Sequence, residues 1–384
     1  MKADSQIRSG ALVLAFAFAF AFALAPHPIS ASNLGGAPQR DERGAVFTMD
    51  NDAAANRILA YRRTPDGALE PIGSFVTGGR GTGAGLGNQG GIALSENGRW
   101  LFACNAGSDD VTVFLVTPRG LVRTDQIGAR GRRPISLALH GNLLFVLNAG
   151  GQVGDQDGIA GFLLLAGKLH PLAHSVHALS ADNTGPAQIG FSPDGRVLVV
   201  TEKNTGVIDT FTVDNDGSVD EVKHFASAGQ TPFGFAFRRQ ELIVTEAFGG
   251  ARDASAASSY ELQRDGDLAV ISPSVPTTES SACWALVSGS GRFAYTANTG
   301  SGSISGFNVA VDGRLGLLTP GGVTGVTGPD SSPADLAMSG DSRFLYSRNG
   351  DGTISAFRVN PDGSLTSRPG VTGIPAGASG LVAQ

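Results

Sequence analysis

The 384-residue chain carries 28 Lys and Arg against 34 Asp and Glu, a net charge of −6. That mildly acidic balance, with no Lys/Arg cluster interleaved with aromatics, argues against nucleic acid and anionic membrane surfaces as partners. An apolar content of 41% and 55 glycines without a G-X-Y period exclude both disorder and collagen and fit many short turns.

Residues 1–32 stand apart. Lys2 and Arg8 precede a short apolar core that runs through an Ala-Phe alternation to Ala25, and small residues Ser30-Ala31-Ser32 follow. This is the pattern of a secretory signal peptide, and its apolar run is short for a membrane span. Losing Lys2, Asp4 and Arg8 with the leader takes the net charge from −6 to −7. The expected mature protein is periplasmic or secreted, has no membrane span and is a monomer. Residues 33–43, polar and containing Gly and Pro, read as a linker before one domain over 44–384.

That domain is a repeat. Pro186 to Glu202 reads as a strand, a Ser192-Pro193-Asp194-Gly195 turn and a second strand, with Val207–Val213 as a third. The third-strand aromatic recurs as Tyr61, Phe114, Phe162, Phe211, Tyr260, Phe307 and Phe357, at spacings of 47 to 53 residues. Four strands per repeat at a period near fifty predict an all-β, seven-bladed β-propeller of four-stranded antiparallel blades. The first copy starts at its second strand, Ala45–Thr48. The C-terminal run Ser379–Ala383 supplies the missing inner strand and closes the ring.

The first blade runs from about Ala45 to Phe75. The others fall near 89–127, 134–178, 185–226, 231–275, 281–318 and 332–370. Between the first two lies Gly78 to Gly90, the longest glycine-rich loop. Its G-x-G-x-x-G match is read as chance, because a strand follows where a dinucleotide site needs a helix. The connections Ala149–Ile159 and Ala247–Ser259 are the other long ones. Cys104 and Cys283 fall in blades that are not neighbours, so two buried free thiols are expected.

Meander topology brings the start of every first strand and the end of every second strand to one mouth. The second strands end in Asp50, Asn105, Asn148, Glu202, Glu246, Asn298 and Asn349. Asn and Asp there also suit Asx-turns, but Glu does not, which singles out Glu202 and Glu246 on adjacent blades. Ion pairs with Lys203 or Arg252 are the structural alternative for these glutamates. A second ring, the third residue of each inner strand, is mostly small; Gln188, Trp284 and Asp335 break that rule and are expected on a pocket floor. No histidine sits on this rim, so a Ser-His-Asp triad has no base there. Ca²⁺ would find oxygen ligands in Glu202, Glu246 and the rim amides, but nothing indicates it, and no cofactor is expected.

The Ser-Pro-Asp-Gly-Arg turn at 192–196 and the run Asn-Thr-Gly-Ser-Gly-Ser-Ile-Ser-Gly-Phe at 298–307 resemble the lactonase-type seven-bladed propellers, from about residue 44 to the end. That family includes 6-phosphogluconolactonase and the carboxymuconate-lactonizing enzyme. The resemblance implies lactone chemistry on a small sugar acid or muconate-type acid, at a mouth with a histidine and arginines beside a glutamate. Here the residue after the inner-strand proline is Ile135, Ala187, Phe233 or Ala334, never His. Two functions are carried forward. One is a lactone hydrolase or lactonizing enzyme, with Glu202 or Glu246 as base and Gln188, Lys203, Asn148, Asn298, Trp284 and Asp335 around a small-molecule ligand. The other is a non-catalytic envelope propeller that binds a ligand or protein on the same face.

Overall fold

The computed structural model describes residues 44–150 and 156–384. The leader and linker readings lie outside the described residues.

Seven antiparallel sheets follow one another along the chain. In blade 4 the strands are Pro186–Phe191, Val197–Glu202, Val207–Val213 and Val219–Ala226, in spatial order from the axis outwards. The inner strands of blades 2 to 7 are Ile92–Leu94, Pro134–His140, Pro186–Phe191, Pro232–Arg238, Ala282–Val287 and Pro333–Met338. Ser379–Ala383 provides that of blade 1, pairing antiparallel with Ala45–Met49, as the sequence predicted. Each inner strand touches the next in order, and the contacts run round a closed circuit.

The turn after the inner strands of blades 2, 4 and 7 shows why Ser-x-Asp/Asn recurs. Ser192 Oγ donates to Asp194 Oδ1 at 2.8 Å and accepts from Val197 N at 3.0 Å, and Gly195 takes φ +72°. Ser95 with Asn97 and Ser339 with Asp341 repeat the device. These side chains occupy backbone groups that the two-strand ladder leaves open.

Second strands are buried on both faces, because each blade is stacked between two others. All of Val197–Glu202 is buried, so the run is apolar rather than alternating. The seven third-strand aromatics are all buried, six of them at 2% exposure or less, and fill the spaces between blades. Burying one such ring stabilises by about 1.5–3 kcal/mol, which is why this position marks the repeat so clearly. Blade 6 departs from the pattern: its outer strand is split into Leu315–Leu317 and Gly325–Val326, both on Ser303–Val309. Cys104 and Cys283 are free and buried, as expected from their places on separate blades.

Candidate functional site

The acidic and amide ring stands where the sequence placed it, at the ends of the second strands, but its side chains turn inward as latches, some within their own blade and some onto the connection from the preceding one. All seven are buried. Asn298 Nδ2 donates to Ser303 Oγ and Ser305 Oγ at 3.0 and 2.8 Å, and Asn349 does the same to Thr353 and Ser355, both at 2.8 Å. Asn105 Nδ2 reaches Asp110 and Thr112, while its Oδ1 accepts from Thr77 in the connection from the preceding blade. Asn148 Nδ2 donates to Ala129 O at 3.3 Å, and Asp50 Oδ1 accepts from the amides of Asp52 and Arg57. A Cβ at Gly79, Gly131 or Gly229 would lie 2.4, 2.5 or 2.0 Å from the side chains of Asn105, Asn148 and Glu246 respectively. Glycine in those connections lets the latch close.

The two glutamates are latches of the same kind, each engaged with its own set of partners. Glu202 is fully buried; it accepts from Ser180 N at 2.9 Å and from the hydroxyls of Ser180 and Thr205. Its carboxyl also bonds Asp209, which is met as well by the Ser180 backbone and by His224 Nδ1, the latter at 2.7 Å. Burial first, then the bond to Glu202 and its charge, pushes Asp209 up to about 9. Glu246 is fully buried in the next seam, where it accepts from Ser258 Oγ, and burial raises its pKa. Neither pairs with a cation: Arg252 is with Asp253, and Lys203 points elsewhere. Among the described residues no group of three His, Cys, Asp or Glu side chains converges as a metal site.

The glycine-rich loop has a role the sequence did not disclose. Residues 86–90 dip into the axis and plug it. Asn88 Nδ2 donates to Ile135 O of blade 3, Asn88 Oδ1 accepts from Ser379 Oγ of blade 1, and Asn88 O accepts from Trp284 Nε1 of blade 6 at 2.8 Å. Gln89 spans Ala285 of blade 6 with both amide atoms, at 2.7 and 3.0 Å. Its own backbone donates to Ala187 O of blade 4 and accepts from Ser136 Oγ of blade 3. Gly87 and Gly90, at φ +63° and +83°, supply the left-handed turns on either side. Trp284 is therefore held beneath the plug. Gln188 is not a free floor group, since it spans Phe235 N and O at 2.7 and 3.0 Å. Asp335 is enclosed beside Arg348; burial pushes its carboxyl up to about 7 although the guanidinium opposes that.

Above the plug, the mouth is cationic. Lys203 follows directly on Glu202, and strand alternation turns it the other way, towards the axis. Its Nζ donates to Gly87 O of the plug at 2.6 Å and to Pro186 O at 3.0 Å, and lies 4.9 Å from the centre of the Phe233 ring. Desolvation, with the nearby Arg133 guanidinium adding to it, pushes the ammonium down to about 8, although Cys283 and Asp157 act the other way. Arg133 immediately precedes the inner strand of blade 3, and its buried Nε has no hydrogen-bond partner. Among the described residues, neither Lys203 nor Arg133 forms a salt bridge. Asp109 binds the Arg133 backbone but pairs its carboxylate with Arg132, and Asp157 is committed to Thr184. Cys283, at the same level on blade 6, is almost fully buried, and burial raises its thiol to about 11. Lys203 stands in this mouth with Arg133, Phe233 and Cys283, and Trp284 packs against the Phe233 ring at 5.1 Å.

With this geometry in place, the likenesses to known proteins take on meaning. The family model described as lactonase, 7-bladed β-propeller, matches residues 165–249, from the end of the third strand of blade 3 into the loop of blade 5. Among solved structures, a periplasmic gluconolactonase of Pseudomonas aeruginosa superposes with TM-score 0.69 at 18% identity, over 88% of this chain and 98% of that one. A Bacteroides fragilis protein provisionally named a 6-phosphogluconolactonase gives 0.70 at 17% identity, over 91% and 100%. A protein of unknown function from Desulfotomaculum acetoxidans gives 0.66 at 14%, over 88% and 98%. No curated protein sequence matches the chain. The class is thus a seven-bladed β-propeller, similar to the lactonase-type propellers; at these identities the superpositions establish the fold alone.

Proposed function

We propose that this chain is an exported lactone hydrolase acting on a small lactone that carries a carboxylate or phosphate. The observation that carries this reading is the pair of cations at the plugged mouth, Lys203 and Arg133, neither of which pairs directly with a carboxylate among the described residues. A partly desolvated cation with no carboxylate bonded to it is costly to keep, so a site that retains two of them suits an anionic ligand. In hydrolysis, water adds to the lactone carbonyl, the oxygen becomes anionic, the ring C–O bond breaks and the released alkoxide takes a proton. Lys203, protonated at neutral pH, is placed to stabilise the developing oxyanion, and Arg133 to hold the substrate's fixed charge. Glu202 and Glu246 hold the seams behind this mouth. Export rests on the leader pattern of residues 1–32.

A panel of aldonolactones, with and without a phosphate or carboxylate, tests the reading on the purified chain. Hydrolysis should favour the anionic members, and Arg133→Met should raise KM for them by about tenfold to a hundredfold. Absence of turnover across the panel would rule out hydrolysis and leave a non-catalytic binding propeller.

A further inference from the structure

The chain has four lysines, and Lys203 has surroundings unlike those of the others described. Lys168 is exposed, and Lys223 is paired with Asp267 at 2.7 Å and Asp265 at 3.7 Å. Lys203 instead meets two backbone carbonyls, an aromatic face and a neighbouring guanidinium. A neutral amine has two N–H groups and one lone pair. Gly87 O and Pro186 O can take both N–H groups, which fixes the nitrogen and leaves the lone pair for an electrophile. Desolvation against an apolar ring and proximity to a second cation are the two ordinary ways to turn a lysine into a nucleophile.

We propose that Lys203 forms imines with small aldehydes or keto acids that bear a carboxylate, with Arg133 holding that carboxylate. The Nζ lone pair adds to the carbonyl carbon and a C–N bond forms. The carbonyl oxygen then leaves as water, taking the two amine hydrogens. No oxidant or reductant is needed. Taking a proton back from water, the imine gains one N–H for Gly87 O or Pro186 O, so the product stays anchored where the amine was. With the amine pushed down to about 8, the reactive neutral form is abundant at mildly alkaline pH while ordinary lysines remain protonated.

This activity needs no lactone turnover, so it stands or falls apart from the hydrolase reading. The test is to incubate the intact protein with glyoxylate and cyanoborohydride at pH 8 and to map the carboxymethylated lysines by peptide mass spectrometry. Lys203 should be modified at least about tenfold faster than Lys168 and Lys223, with a rate that rises through pH 8. Arg133→Met should lower the preference for glyoxylate over uncharged propanal by about tenfold. Lys203→Arg should lose only this one adduct and keep the fold by circular dichroism. Modification of Lys203 no faster than that of Lys168 would overturn the proposal, and an unchanged preference in Arg133→Met would remove Arg133 from it.

Discussion

Blades 4 and 6 solve one problem in two ways. At the end of the second strand, blade 6 has Asn298, which donates to Ser305 seven residues on; blade 4 has Glu202, which meets Asp209 seven residues on. The amide-hydroxyl pair is complementary without any charge. The two carboxyls can bond only by holding a proton between them, so Asp209 is kept protonated far above its ordinary 3.8. In return Glu202 has a longer reach: it gathers Thr205 of its own blade and Ser180 in the preceding connection, whose residues 179–184 contain no glycine. The same location in the repeat is thus neutral and pH-insensitive in one blade, ionisable and far-reaching in the other.

The comparison breaks most sharply at Glu202. Glu202→Ala strands Asp209, Ser180 and Thr205 together and should cost about 3 kcal/mol, read as a lowered midpoint in urea with unchanged slope. Asn298→Ala removes two hydrogen bonds between neutral groups and should cost less, about 1–2 kcal/mol by the same measurement. Asp209→Asn gives the subtlest signature, a change of slope. Because the folded pKa of about 9 lies above the unfolded 3.8, this group's contribution to stability is complete below about pH 4 and is lost as pH climbs towards 9. The urea midpoint of the wild type should therefore fall between pH 5 and 9, and the Asn variant should fall less. Asp335, raised to about 7, adds to the lower half of the same decline.

How far the sequence could be read follows from what each residue touches. The blades were legible because Phe211 and its six counterparts meet the same neighbours in every copy, and repetition makes a local requirement visible. The ring at the strand ends was legible in position but not in direction. Glu202 and Lys203 are adjacent, and period-two alternation separates them without saying which one faces the axis. The plug was not legible at all. Asn88 and Gln89 meet Trp284 and Ala285 across 196 residues of chain, and no local pattern encodes such a partner. Arg133 escaped notice for a related reason: it stands outside the repeat's regular strands and draws its interest from Lys203, seventy residues on.

Residues 86–90 have a mechanical consequence. A circular assembly fastened only along its rim can spring open at its weakest joint. Here a single stretch of five residues is tied to blades 1, 3, 4 and 6 across the middle, in the manner of spokes. Tension applied through the two chain ends would have to rupture those ties together with the closing strand, so the wheel should yield in one abrupt event instead of unzipping blade by blade.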